Sequence, residues 1–320
     1  SWLGLRLPVG IRGWQQPGDA TMMDPFSTLC RHARRVVFSS LTALLFGMTA
    51  PSIALAQDNP AFNPATWHLP DEAMLGFVEI PAGRFAMGSD PRVDRMAFAN
   101  ERWSGFMRQG NVNLPTFYIQ RYEVTTAQYK AFVAATGYQA APQSLSQADI
   151  YPAAFVSWTD ALAYARWLEQ ELRTSTQTPD HIQQLLDDGW QITLASEAQW
   201  EKAARGTEGR VFPWGNQPDT SKANIGSAAS DPVGDQNCSE CAYGLADMSG
   251  NLFEWTRSPY QAYPYTSEDD RENLMEDALW VIRGGSFNDQ INNARAAVRG
   301  AADPGARRAF IGFRLVLTPE

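Results

Sequence analysis

Two cysteines, Cys238 and Cys241, and two histidines, His68 and His181, are the thiols and imidazoles found after residue 56, and they narrow the chemistry open to this chain. A C-x-x-C pair can be a redox couple, half of a zinc site or a short disulfide. Zinc needs a second ligand pair, which the sequence does not supply. Redox pairs of the thioredoxin kind open a helix after a strand, whereas this one falls in a loop between Pro232 and Tyr243. A disulfide stapling that loop is the preferred reading. Acid–base and recognition chemistry then fall to carboxylates and arginines near the carboxy terminus. There Arg283-Gly284-Gly285-Ser286-Phe287-Asn288-Asp289 leads on to Arg295 and Arg299. Arg299 offers planar donors suited to a carboxylate or a catecholate, and Asp289 can act as a general base if partly desolvated. The plainer alternative is a structural Arg299–Asp289 ion pair under a loop.

Such residues need elements to hold them, and capping signals locate three helices. Thr125 or Thr126 opens a run from Ala127 to Thr136 that stops at Gly137, with Tyr129, Phe132 and Val133 at helical spacing. Ser157 caps a second helix, with Asp160 three residues on and Leu162, Ala165, Trp167 and Leu168 following. Ser196, with Gln199 in the capping-box position and Gly206 as the stop, marks a third. Trp158, Trp167 and Trp200 read as core. The last third is rich in Gly, Pro, Asn and Asp, which predicts short strands joined by long, internally anchored loops.

The chain has 320 residues, 44% hydrophobic and 12% aromatic, with no evident linker beyond residue 56. One domain over residues 57–320 is expected. Residues 1–56 read as an address. Arg31, His32, Arg34 and Arg35 precede an apolar run from Val36 to Ala50, and Ala54-Leu55-Ala56 supplies small residues for cleavage before Gln57. The apolar run is too short to span a bilayer and Pro51 follows it, so no stable membrane span is expected after processing. Arg34-Arg35 leaves a twin-arginine route open beside the general one. Residues 1–21, ahead of Met22 and Met23, read as translated upstream sequence. Setting residues 1–56 aside removes five of 26 basic and two of 35 acidic side chains, leaving 21 against 33 and a net charge of −12. That surface repels phosphate backbones, so nucleic acid is not an expected partner.

Seven segments, in order, resemble the formylglycine-generating enzyme (FGE) family, whose founding members oxidise a cysteine in sulfatases. They are Ile80-Pro81-Ala82-Gly83-Arg84-Phe85 running into Met87-Gly88-Ser89, Tyr122-Glu123-Val124-Thr125, Val156-Ser157-Trp158, the Leu194–Gly206 stretch, Phe212-Pro213-Trp214-Gly215-Asn216, Gly244–Thr256, and the Arg283–Asp289 and Ile311-Gly312-Phe313-Arg314 pair. The resemblance implies a compact α+β fold of the FGE type, related to C-type lectins, with little regular secondary structure. It implies structural calcium, with Asn251 and Glu254 at one position and Asn224 with the carbonyl of Ile225 at another. It further implies a cleft beside the carboxy-terminal motif, lined by Asn288, Asp289, Arg295, Arg299, Trp255 and Trp158.

Family chemistry does not carry over whole. The copper-binding cysteines of the formylglycine-forming members have no counterpart, so cysteine conversion is not expected. Another branch builds an iron site from three histidines, which His68 and His181 cannot furnish. No copper or iron site is evident, and no residue announces an electron acceptor. The leader and the missing cysteines resemble exported family members that mature the peptide siderophore pyoverdine. That similarity implies a periplasmic protein oxidising a dihydropyoverdine-type precursor. Two other readings stay open: a lectin-like module that binds peptide or glycan without turnover, and an accessory factor for a separate oxidase.

Overall fold

The first and last strands of the domain share one sheet, so the chain closes on itself. The computed structural model describes residues 74–106, 109–236, 238–266, 274–275 and 277–319. The leader and its cleavage site lie outside them. In chain order come β1 (Phe77–Ile80), β2 (Gly83–Met87), β3 (Gly110–Leu114), β4 (Phe117–Gln120), α1 (Thr126–Thr136), α2 (Trp158–Thr174), α3 (Asp180–Asp187), β5 (Trp190–Leu194), α4 (Glu197–Arg205), β6 (Phe253–Pro259), β7 (Trp280–Arg283), β8 (Arg299–Ala302), β9 (Ile311–Gly312) and β10 (Leu315–Pro319). One sheet has the order β1-β4-β10-β5, a second β8-β7-β6-β9, and β2 pairs with β3 alone. The arrangement is α+β, with helices few and strands short.

The three capping signals are all realised. Thr125, Ser157 and Ser196 each accept from the backbone N–H three residues on, and Gln128, Asp160 and Gln199 each return the bond. A cap of this kind contributes about 1 kcal/mol. Gly137 ends α1 in the left-handed region at φ 67°, which glycine adopts without strain. α3 carries no side-chain cap, only Pro179 at its start and Ile182 and Leu186 buried beneath it, which is why cap-based reading passed over it.

β5 is a sheet edge, and α2 covers it. Glu169 Oε2 accepts from Ile192 N at 2.7 Å while Arg173 Nη2 donates to the Trp190 carbonyl at 2.9 Å. The i,i+4 pair thus supplies the acceptor and donor that a further strand would have offered.

Two large apolar clusters and a small one around Ala154, Leu252 and Phe287 fill the interior of the described residues. The first gathers α1, α2 and the inner faces of both four-stranded sheets around Trp158, Trp255 and Trp280; the second packs α4 with Trp200 against β2 and β4. Trp158 stacks on Trp280 with centroids 3.9 Å apart and donates Nε1–H to the Thr256 carbonyl at 2.9 Å. Trp255, fully buried, donates Nε1–H to the Val156 carbonyl at 2.9 Å. Neither indole lines a cleft, which corrects the expectation drawn from the family. Each ring carries too much apolar area, and too few polar atoms, to leave the core once its one N–H is satisfied.

Candidate functional site

β7 ends at Arg283, and the two glycines after it turn the chain back into the body of the protein. Gly284 has φ 100°, and a Cβ there would stand 3.2 Å from Trp200 Cζ2. At Gly285, φ 72°, it would meet the Asn293 carbonyl oxygen at 2.7 Å. Only glycine permits both the turn and the close approach. The returning loop is laced to its neighbours by Phe287 N to Asn251 O, Ser227 N to Phe287 O and Gly226 N to Asp289 O.

Within this loop Asp289 organises a polar cradle. Its Oδ2 accepts from Ser286 N at 3.0 Å and from Ser286 Oγ at 2.7 Å, and its Oδ1 accepts from Asn293 Nδ2 at 2.8 Å. Asn288 is exposed and Asp289 half-buried. The result is a carboxylate of fixed orientation, reachable from solvent, with a lone pair remaining on Oδ1.

Arg299 and Arg295 are elsewhere, and the Arg299–Asp289 pairing does not form. Arg299 meets Glu197 with Nε at 2.6 Å and Nη2 at 2.8 Å, a bidentate fork buried beneath Tyr263 and Tyr260. Arg295, fully buried, bonds Glu101 at 2.7 Å through both Nη1 and Nη2 and Asp94 at 2.6 Å. A guanidinium cannot be buried without carboxylates on its donors, and these carboxylates consume the donors meant for a substrate.

The acid that holds Arg299 belongs to a pattern on α4. Glu197, Glu201 and Arg205 recur every four residues and share one buried face. Glu201 takes Gly88 N and Arg205 Nη1 on Oε1, both at 2.7 Å, and pairs with Arg283 through Oε2. Burial, and then the negative charges of Glu197 and Glu201, push the Tyr263 phenol well above its usual range, so it stays protonated.

The side chains matched to the two calcium positions are engaged by protein donors. Glu254 gives Oε2 to Arg314 Nε at 2.7 Å and Trp200 Nε1 at 2.8 Å, and Oε1 to Arg314 Nη2 at 2.6 Å. Asn251 Oδ1 accepts from Asp231 N at 2.9 Å and Asn224 Nδ2 at 3.3 Å, and Asn224 Oδ1 accepts from Ser227 Oγ at 2.6 Å. The Asn224 carbonyl accepts from Asn251 N at 2.9 Å, so the Asn224-Ile225 backbone is stitched to Asn251 directly. Protein donors occupy the side-chain oxygens of Glu254, Asn251 and Asn224, and these side chains as arranged do not fit calcium. Among the described residues no group of three or more His, Cys, Asp or Glu could hold a metal ion.

Around Glu254 lie two further buried acids. Glu123 accepts from Asn251 Nδ2 at 3.0 Å, and burial, then Asp247 and Glu254, raise its pKa well above the carboxylate range. Asp247, which accepts from Gly234 N at 2.7 Å, is pushed up to about 6, chiefly by burial. Three carboxyl groups thus gather around the single guanidinium of Arg314. Between Gly234 and Asp247 in sequence, Cys238 and Cys241 are disulfide-bonded, with Cα atoms 5.3 Å apart.

These features define the class. Residues 67–319 match the FGE-sulfatase family, described as the sulfatase-modifying factor enzyme 1-like domain, and the chain belongs to that family. It is 28% identical to the formylglycine-generating enzyme of Thermomonospora curvata, over 78% of this chain and 96% of the relative. It is 29% identical to the hercynine oxygenase of Mycolicibacterium smegmatis, over 74% of this chain and 60% of the relative. Among solved structures it resembles PvdO from Pseudomonas aeruginosa, with TM-score 0.59 and 25% identity over 76% of this chain and 94% of that one. Among the described residues, no helix is long and apolar enough to cross a membrane.

Proposed function

We propose that this protein is a periplasmic oxidising member of its family that matures a peptide siderophore, converting a dihydropyoverdine-type precursor to the finished chromophore. One observation carries the reading: on a family scaffold, the carboxy-terminal loop holds no thiol and presents instead the solvent-reachable Asp289 carboxylate, fixed by Ser286 and Asn293. The similarity to PvdO and to a hercynine oxygenase supports an oxidative role. Two hydrogens leave the precursor as two protons and two electrons, a double bond forms in its ring, and dioxygen takes up both to become hydrogen peroxide. Asp289 is the group assigned to receive a proton.

Mass spectrometry of peptide metabolites from a strain lacking the gene tests this. A precursor carrying two extra hydrogens should accumulate and disappear on complementation; an unchanged metabolite profile would remove the siderophore reading. A binding module is the second reading. The observation in its favour is a groove of about 350 Å³ between α2 and β5, lined by Arg166, Arg173, Trp190 and Arg257 among others. Stable complex formation without peroxide or product separates it from the first.

A further inference from the structure

Residues 260–265 cross above Arg299, and the rings of Tyr260 and Tyr263 lie against its guanidinium. Gln261, Ala262 and Pro264 are exposed, Tyr263 is half-buried and Tyr265 is buried. Glu197 occupies the edge of the Arg299 guanidinium, leaving its faces to aromatic rings: the Arg299 Cζ lies 3.9 Å from the Tyr263 centroid and 5.0 Å from that of Tyr260. The Tyr263 ring also leans on Trp103, centroids 5.2 Å apart. Beneath the strap is a cavity of about 10 Å³, lined by Glu197, Ser258, Gln261, Tyr263, Tyr265 and Arg299.

The fit of Tyr263 is good for the ring and poor for the hydroxyl. Its oxygen is buried with no hydrogen-bond partner, and so is Nε of the neighbouring Arg283. An unmade bond at a buried donor is a standing deficit. Arg299 Nη2 donates to the Gln261 carbonyl at 2.9 Å, tying the strap down from below. Exposed residues on either side, a stacked ring and an unsatisfied hydroxyl describe a contact that something better suited can replace.

We propose that the face of Arg299 is a binding site for a planar phenolic ring, and that Tyr263 fills it as an internal plug which such a ligand displaces. A guanidinium held flat by a carboxylate attracts an aromatic face. A free phenol, unlike Tyr263, is not constrained by a backbone and can turn its hydroxyl toward Arg283 Nε, which has no hydrogen-bond partner. The plug lowers apparent affinity by the fraction of molecules in which it is closed. The inference rests on this geometry and holds whether or not the siderophore reading does.

Calorimetric titration with 4-methylphenol tests it on the whole protein. Wild type should bind weakly but saturably, and Tyr263→Leu, which keeps apolar volume but vacates the guanidinium face, at least tenfold more tightly. Adding Arg299→Lys, which retains the charge beside Glu197 but not the flat surface, should reverse that gain. 4-Methylcyclohexanol, of the same shape without a π face, should bind at least tenfold more weakly than the phenol. The proposal is overturned if wild type shows no saturable binding, if Tyr263→Leu binds no better, if Arg299→Lys has no effect, or if the two probes bind alike. A Tyr263→Leu chain that fails to fold overturns it too, because a displaceable ring cannot be essential to the fold.

Discussion

The loop from Gly284 to Asn293 and the charge network beneath β8 adjoin in sequence, yet they use polar groups in opposite ways. In the network every arginine is matched: Arg283 and Arg205 to Glu201, Arg299 to Glu197, Arg295 to Glu101 and Asp94. In the loop the Asp289 carboxylate faces neutral donors only and remains reachable from solvent. Buried pairs fix geometry and spend their hydrogen-bonding edges on one another, whereas a half-exposed carboxylate held by neutral donors keeps its access. Functional assignment from residue type alone cannot tell these two apart.

The largest expected effect lies in the buried acid cluster. Arg314→Met strips Glu254 of both charged donors beside Glu123 and Asp247 and should cost about 3–5 kcal/mol in urea unfolding; a loss below about 1 kcal/mol would show that the cluster does not depend on its one cation. Next, a double-mutant cycle on Glu197→Ala and Arg299→Ala should give a coupling of about 2 kcal/mol, and additive losses would deny the fork. Reducing the Cys238–Cys241 bridge, which closes a very short loop, should lower stability by about 2 kcal/mol.

In the loop the balance should reverse. Asp289→Ala is expected to lower stability by only about 1 kcal/mol, since its partners can turn to water, while turnover falls at least a hundredfold. A variant that unfolds, or one that turns over normally, would erase the contrast between the two regions.

The last effect concerns pH. Asp247 is raised in the fold from 3.8 to about 6, so the folded protein holds this proton more tightly than the unfolded chain does. Its contribution is complete below the unfolded value and is lost as pH rises through about 6. Wild type should therefore lose stability relative to Asp247→Asn between about pH 4 and pH 6. Asparagine tolerates the left-handed backbone at this position, φ 56°, and keeps an acceptor for Gly234 N–H. Parallel stability curves for the two proteins would contradict this.

Much of the fold was legible because its signals are local. Thr125–Gln128, Ser157–Asp160 and Ser196–Gln199 declare helix starts within four residues, and the family segments fixed the architecture. α3 was missed for want of a cap. The site was less legible, because partner choice is a long-range matter. Glu101 reaches Arg295 across 194 positions and Glu197 reaches Arg299 across 102, and nothing near either arginine announces its acid. The Glu197, Glu201, Arg205 spacing on α4 was the available clue that Arg283 and Arg299 would be claimed by the interior.

Incubation of the purified protein with a dihydropyoverdine-type precursor under air, followed by mass spectrometry and peroxide detection, tests the central claim most directly. The account predicts a product lighter by two hydrogens with matching peroxide, and sharply slower formation by folded Asp289→Ala. Unchanged precursor in the presence of folded wild-type protein and dioxygen would contradict it.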